Sequence, residues 1–379
     1  MMAPFPTPLE FANQQPSFYR QIVTMRKKRY LSLLRRSLLI TVLLWAIALI
    51  LLSPIVSIPA PISAYVRLLL AVITVILIIT CARRGSRRNM YAATYLFAGV
   101  LTAAHCGLRP RADRSWVASQ VNAGWGSIAD NQVVTLHNVR RFRYQSAGIA
   151  AAEQWGTEKV DTANLIGADF ILTRFGSMTA PGHVMVSFAF TSKLNPTAIK
   201  RIVISAEIRK EIGEAFSAIK GMFRNYEIIY VFGDELDLIK LRTNIHKDKT
   251  YLFPIHADIK QIRAYFLRMV ERAGRLRAQP EFYHTLLNSC STSLAKHLAD
   301  VSAHKLARHI RVMLPGHSPK LLSKLGLTDF DAAKEGTEEN DKTYDEWEAA
   351  HLINPNGELN VADDLFSNTI RQRSDTNEQ

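Results

Sequence analysis

Two apolar stretches near the N-terminus constrain this chain more than any other feature. LLITVLLWAIALILLSPIV, residues 38–56, is 19 residues without a charge, and AYVRLLLAVITVILIITCA, residues 64–82, holds one, Arg67, close enough to an end to snorkel. Each is long enough to cross a bilayer as a helix, which satisfies its own backbone in hydrocarbon. A third run, MYAATYLFAGVLTAAHCGL at 90–108, is less hydrophobic and reads either as a span or as an interfacial or buried helix. Arg26, Lys27, Lys28, Arg29, Arg35 and Arg36 precede the first run, and Arg83, Arg84, Arg87 and Arg88 follow the second. Both clusters belong on the cytoplasmic side, with the Pro-rich link at 53–63 outside. If 90–108 spans, everything after about residue 110 lies outside; if it does not, the remainder is cytosolic. Arg109, Arg111 and Arg114 count against the third span. The first apolar run starts too far in and is too long to be the core of a cleavable signal peptide.

The formal charge of +14 belongs to this first part. Residues 1–110 hold 13 of the 47 Lys and Arg but only Glu10 of the 33 acids, so 111–379 is nearly neutral. A nearly neutral domain lacks the basic stripe that nucleic acid requires. Four segments are expected: a basic cytoplasmic N-terminus (1–37), a membrane anchor (38–108, spans at about 38–58, 63–82 and 90–108), a domain over 111–330, and a tail over 331–379. The tail is acidic and poor in apolar residues, which predicts loose order apart from a short helix around Trp347. In the domain, strand-like runs lie at 133–139, 183–190, 201–208, 226–233 and 250–256, and helical runs at 210–223, 257–277, 290–301 and 319–326. Short links between consecutive strands favour an antiparallel sheet packed on helices, an α+β class.

Within that domain Cys290 is the one cysteine; Cys81 and Cys106 lie at membrane boundaries. Cys290 opens a helix after a small polar run, Asn288, Ser289, with Ser291, Thr292 and Ser293 following. A thiol there faces unpaired N–H groups and the positive end of the helix dipole, which favours thiolate. GHVMVSFAF, 182–190, alternates so that His183, Met185 and Ser187 share one face and Val184, Val186 and Phe188 the other. Thiolate and imidazole are the minimum for nucleophilic acyl chemistry. Glu207, on a strand face with Ser205 and Val203, is the candidate to orient the imidazole. A buried core cysteine, a bracing histidine and a solvated strand-end acid are the plain alternatives. His297, His304 and His309 have no zinc spacing and read as surface or packing residues. No P-loop, dinucleotide glycine fingerprint or G-x-S-x-G elbow is present, so no cofactor and no metal is expected.

The ordered series Trp116, HNVRRFRY (137–144), the Trp155 segment, GHVMVSFAF, the long run from Ile204 to Asn244, PEFYHTLLNSCSTS (280–293) and MLPGHSPKLLSKLG (313–326) resembles the Lnb-type N-terminal periplasmic domain family over most of 115–330. The resemblance implies a permuted papain-like α+β fold in which the His strand precedes the Cys helix. It further implies a membrane-anchored enzyme of the Gram-negative envelope. The apolar runs precede the domain here, whereas the family's characterised arrangement has them after it. With those runs, the expectation is a multi-pass inner-membrane protein with its C-terminal domain in the periplasm. The implied activity is N-acylation of a diacylglyceryl lipoprotein with phospholipid as acyl donor. A hydrolase of the same fold (peptidase, amidase or lipid deacylase) and a non-catalytic envelope protein binding lipid or lipoprotein are the rival readings. The chain departs from the family pattern: Ser289 stands where the family has Asn, with Asn288 one place early. Asp234, Glu235, Leu236 and Asp237 lack the family's Arg, and Asn244, Ile245 and His246 replace an Asn-Tyr-Arg. Ser289, Asn288, Asp234, Glu235 and Arg242 are the expected substrate-contact positions, with the acids and Arg242 alternatively forming a loop network. Trp116, Trp125, Trp155, Phe142 and Tyr144 read as an acyl groove or as ordinary core.

Overall fold

The computed structural model describes residues 8–54, 62–84, 87–129, 132–146, 149–176, 178–192, 195, 197–301, 314–330 and 338–375. They fall into two compact units, Met1–Leu108 and Arg109–Gln379. The first is helical: α1 (Pro8–Leu52), α2 (Ile62–Arg84) and α3 (Arg87–Gly107). Among the described residues one helix, Val23–Leu52, is long and apolar enough to cross a membrane; the apolar helix at Tyr65–Ile76 is shorter. The apolar runs at 64–82 and 90–108 are helical, as α2 and α3, but do not meet that length and hydropathy among the described residues. Most of the Pro-rich link, 55–61, lies outside the described residues. Within the unit, Trp45 Nε1 donates to Thr102 Oγ1 (3.0 Å) and Ser53 Oγ meets His105 Nδ1 (2.7 Å), tying α1 to α3. Such polar pairs gain weight where no water competes for them.

The second unit is built on an eight-stranded sheet: β1 (Trp125–Ala129), β2 (Val133–Arg140), β5 (Trp155–Asp161), β6 (Leu165–Arg174), β7 (Gly182–Phe190), β8 (Lys200–Arg209), β9 (Glu227–Gly233) and β10 (Lys249–Pro254). The order is β1-β2-β9-β8-β7-β6-β10, with β5 also on β2; β3 (Arg143–Ser146) and β4 (Ile149–Ala152) form a separate ribbon. The expected antiparallel sheet is mixed, because β2 and β9 run parallel through Val139↔Phe232 and Arg140↔Gly233. All five expected strands form. β6 was not legible, since Gly167, Asp169 and Arg174 break the alternation, yet it is hydrogen-bonded along both edges, to β7 and β10.

Helices cover both faces. α5 (Ile259–Ala278) and α6 (Cys290–Val301) lie on the face bearing Val184, Val186, Phe188, Ile204 and Tyr230. The opposite face, with Met185, Val203, Ile229 and Val231, packs on α4 (Glu235–Lys240) and the C-terminal segment. α7 (Ser318–Lys324) lies against α6 through Leu321. Two expectations fail here. Residues 210–223 form turns and one 3-10 turn at Lys220–Met222 instead of a helix. Gly213 takes φ +83°, and Tyr226 Oη binds Ala215 O and the Ser217 N–H, removing partners a helix would need. The tail holds the helix expected around Trp347, α8 (Glu338–Ala350), but the part expected to be loose is ordered where described: α9 (Asp363–Asp375) forms, and Ile353, Leu359, Phe366 and Ile370 are fully buried. Composition missed it because a few apolar side chains at the right spacing suffice to dock a helix on a preformed face.

Candidate functional site

β7 and β8 pair antiparallel from Phe190↔Lys200 to Met185↔Ser205, where the ladder stops. Continuing that register by two residues sets His183 opposite Glu207. The next amide on β7, that of Val184, turns to the sulfur of Cys290, which the N–H groups of Ser291 and of Cys290 itself also face. Cys290 therefore sits where two strands part, at the first residue of α6. α6 presents Cys290, Leu294 and His297 to the core at helical spacing. Its start is held by a reciprocal cap: the Ser289 N–H donates to Thr292 Oγ1 (2.7 Å), and the Thr292 N–H approaches Ser289 Oγ (3.5 Å).

His183, Glu207 and Cys290 line one cavity of about 310 Å³, together with Arg242, Tyr283 and Phe216. The carboxylate does not bond the ring directly: His183 Nε2 is 3.9 Å from Glu207 Oε1. Ser205 intervenes. Its hydroxyl donates to Glu207 Oε1 (3.0 Å), and its oxygen lies 2.7 Å from His183 Nε2. A hydroxyl has one proton, so a Ser205 that donates to the carboxylate must accept from Nε2–H. That selects the tautomer and leaves Nδ1 with the lone pair. Gln120 holds the acid from the other side, donating Nε2 to Glu207 Oε2 (3.2 Å) while its Oε1 accepts the Lys210 N–H (2.7 Å).

The charges at rest differ from the sequence expectation. Burial pushes the Cys290 thiol above its ordinary pKa, against the pull of the Val184 and Ser291 amides, so helix-start donors do not produce a standing thiolate. Burial, and then Arg242, push His183 down to about 4. For Glu207 burial acts upward, but His183, Arg140, Arg242 and the Ser205 bond together hold it at about 2. At neutral pH the set is a thiol, a neutral imidazole and a carboxylate.

The other expected contacts disperse. Ser289 is the helix cap already described, and Asn288 Nδ2 donates to Phe282 O. Asp234 caps α4 and pairs with Arg143 (2.8 Å). Glu235 is buried against Ser187 and Arg371 (both 2.6 Å). Asp237 holds Arg140 and the Phe142 N–H. The network expected between these acids and Arg242 does not form; each acid has another arginine, and of this set only Arg242 reaches the cavity. The aromatic groove is also absent as a unit: Trp116 lies under Arg209, Trp125 stacks on His137, and Trp155 meets the edge of Phe142. His297 is a packing residue, bonded to Tyr230 Oη (2.6 Å); His304 and His309 lie outside the described residues. Ser205 and Gln120 were missed. The i, i+2 spacing of Ser205 and Glu207 was the available signal for the first; nothing local pointed to the second.

Residues 151–322 match the family of the Lnb N-terminal periplasmic domain. The matched segment holds Cys290, His183, Ser205, Glu207 and Arg242, whereas Gln120, Trp116 and the 137–144 run precede it. No curated protein and no solved structure matches this chain. The match over 151–322 and the candidate span Val23–Leu52 together suggest a membrane-anchored periplasmic protein.

Proposed function

We propose that this protein is a thiol-dependent acyltransferase of the cell envelope, with Cys290 as nucleophile, His183 as general base and Glu207 as the group that orients the base. The observation that carries the reading is the relay Glu207–Ser205–His183, which leaves Nδ1 as the basic nitrogen of a histidine that lines the same cavity as Cys290. A thiol beside a neutral imidazole gives up its proton as it attacks, so a resting ion pair is not required. In the first half-reaction Cys290 Sγ bonds the ester carbonyl carbon of a phospholipid while its proton passes to His183. The C–O bond then breaks, and the lysophospholipid oxygen takes that proton. In the second, the N-terminal amine of a diacylglyceryl lipoprotein attacks the thioester and loses a proton to His183. Cys290 leaves as sulfur and recovers the proton. The Cys290 and Ser291 N–H groups at the start of α6 would donate to the oxyanion. The order of His strand before Cys helix, and the helix packed on the sheet, support a permuted papain-like arrangement. On this reading the anchor is multi-pass in the inner membrane and the Lnb-type domain faces the periplasm.

The test incubates the purified membrane protein, beside Cys290→Ala, with labelled phospholipid and a diacylglyceryl lipopeptide, followed by mass spectrometry. An acyl group on Cys290 that moves to the peptide amine is the expected result. Free fatty acid without acylated peptide would replace the transferase by a hydrolase. No adduct, with the variant fully functional, would leave a non-catalytic lipid- or lipoprotein-binding protein.

A further inference from the structure

Two loops beside the cavity display apolar side chains that the fold does not bury. The connection between β8 and β9 and the turn before Cys290 are tied together: Thr285 Oγ1 donates to Ala218 O (2.6 Å), and the Thr285 N–H to Gly221 O (3.3 Å). The contact is close enough that a Cβ on Gly221 would fall 2.4 Å from Thr285 Oγ1. From this paired platform Ile212 (72% exposed), Leu287 (61%) and Ile219 (54%) project into solvent, with Phe216, Met222 and Leu286 beside them. Ile166 and Leu365, by contrast, are exposed as single side chains on separate elements.

The display is held in place. Tyr226 Oη donates to Ala215 O (2.8 Å) and accepts from the Ser217 N–H (3.0 Å), and the Ile212 N–H donates to Ser115 O (2.9 Å). A run of apolar side chains kept in water on a braced loop marks an interaction surface.

Three observations select its occupant. Phe216 and Lys210 also line the Cys290 cavity, so the patch is continuous with the mouth of the site. Basic residues are interleaved: Lys220 is exposed and Lys210 and Arg224 half-buried, while the acid Glu211 is engaged by Arg114 (2.5 Å) and Glu214 accepts the Glu211 N–H. Apolar insertion flanked by lysine and arginine is the pattern of a surface that lies in a lipid interface. Finally, Ser115 and Val117, which bond Ile212 and Lys210, lie within ten residues of Arg109, where this unit begins. The patch is therefore hydrogen-bonded to the stretch that opens this unit, and the candidate membrane span precedes that stretch in the chain.

We propose that the rim formed by residues 210–222 and 284–287 docks on the headgroup–acyl boundary of a lipid bilayer and opens the Cys290 cavity onto it. The docking itself rests on the patch; its purpose, delivery of a lipid ester to Cys290, rests on the reading given under the proposed function.

The test uses the full chain in vesicles of phosphatidylethanolamine and phosphatidylglycerol. Leu287→Trp adds one indole to the five native tryptophans, which serve as the baseline. With lipids brominated either near the carbonyl or near the chain end, the added fluorescence is expected to be quenched, and more by the shallow bromines. No quenching of the added indole by either lipid overturns the proposal, including the case in which the rim is covered by another protein. A second variant, Ile219→Ser with Leu287→Ser, is expected to lower turnover of vesicle phospholipid about tenfold while leaving iodoacetamide alkylation of Cys290 unchanged. Measurable turnover that is equal in the variant and the unaltered protein overturns the proposal as well. Quenching without any acylation of Cys290 would retain the docking and remove the acyltransferase; acylation without quenching would do the reverse.

Discussion

Two buried polar groups share one face of the sheet and end differently. At the start of β7 and the end of β8, Glu207 reaches Ser205, and Ser205 reaches a neutral imidazole bordering a cavity. Farther along the same two-residue alternation, Ser187 donates to Glu235, and there a guanidinium closes the circuit: Arg371 binds Glu235 and Asp169, each at 2.6 Å. Serine and glutamate are common to both. A permanent cation makes the second a sealed brace that pins α9 to the sheet, whereas a weak base leaves the first with a nitrogen free to take a proton. The chemistry follows from which basic group completes the set and whether a cavity meets it.

Substitution separates the two. Cys290→Ala or His183→Ala is expected to lower acyl transfer by about 10⁴-fold or more, with little change in denaturation midpoint. Transfer surviving in either variant would show the pocket group to be another brace. Arg371→Met should do the opposite. It leaves Asp169 and Glu235 buried with only the more distant Arg201 (3.9 Å from Glu235) and costs about 3–5 kcal/mol of stability, while alkylation of Cys290 in the folded fraction is unchanged. An equally stable Arg371→Met protein would break the comparison from the other side.

Smaller effects sharpen it. Ser205→Ala removes the relay without touching the base or the nucleophile, and a loss of about 10- to 100-fold in turnover is expected, with no effect if Glu207 only fills space. Acid should strike the pocket group in a definite window. His183 falls from an ordinary 6.5 to about 4, so the unfolded chain binds the proton first. The stability that its neutral form contributes is present above about 6.5 and is lost as pH falls through 4. Glu207, held at about 2, adds a contribution present above the ordinary carboxylate value and lost toward that lower pH. Denaturation measured across this range should show an acid limb whose upper part disappears in His183→Ala. The smallest effect concerns the thiol. Because burial raises Cys290, its alkylation rate should keep rising into alkaline pH; a plateau near neutrality would establish a thiolate–imidazolium pair at rest.

Much of this was readable in advance, and the rest has identifiable reasons for being hidden. The alternation of 182–190 placed His183 and Ser187 on one face, and the polar run before Leu294 placed Cys290 at a helix start. Glu207 was legible as an acid on the next strand, but that it works through Ser205 depends on where the β7–β8 ladder ends. The apolar spacing of 210–223 reads as an amphipathic helix until Tyr226 and Gly213 are seen to hold it open. Arg371 lies in a tail whose composition suggests no fold, 202 residues from the aspartate it binds.

What the chain determines by itself is local: an apolar helix of membrane length, strands and helices with the correct periods, and a lone thiol at a helix start. Those follow from interactions within a few residues, which hydrophobic spacing and backbone preference encode directly. Which polar groups meet was decided only by the tertiary structure. The partner of Glu207, the tautomer of His183, the solvation of Cys290 and the cation that seals Glu235 all depend on strand register and on helices arriving from distant sequence. Neither leaves a local pattern, because one residue of slip in a strand reverses every side chain while leaving the strand itself equally well formed.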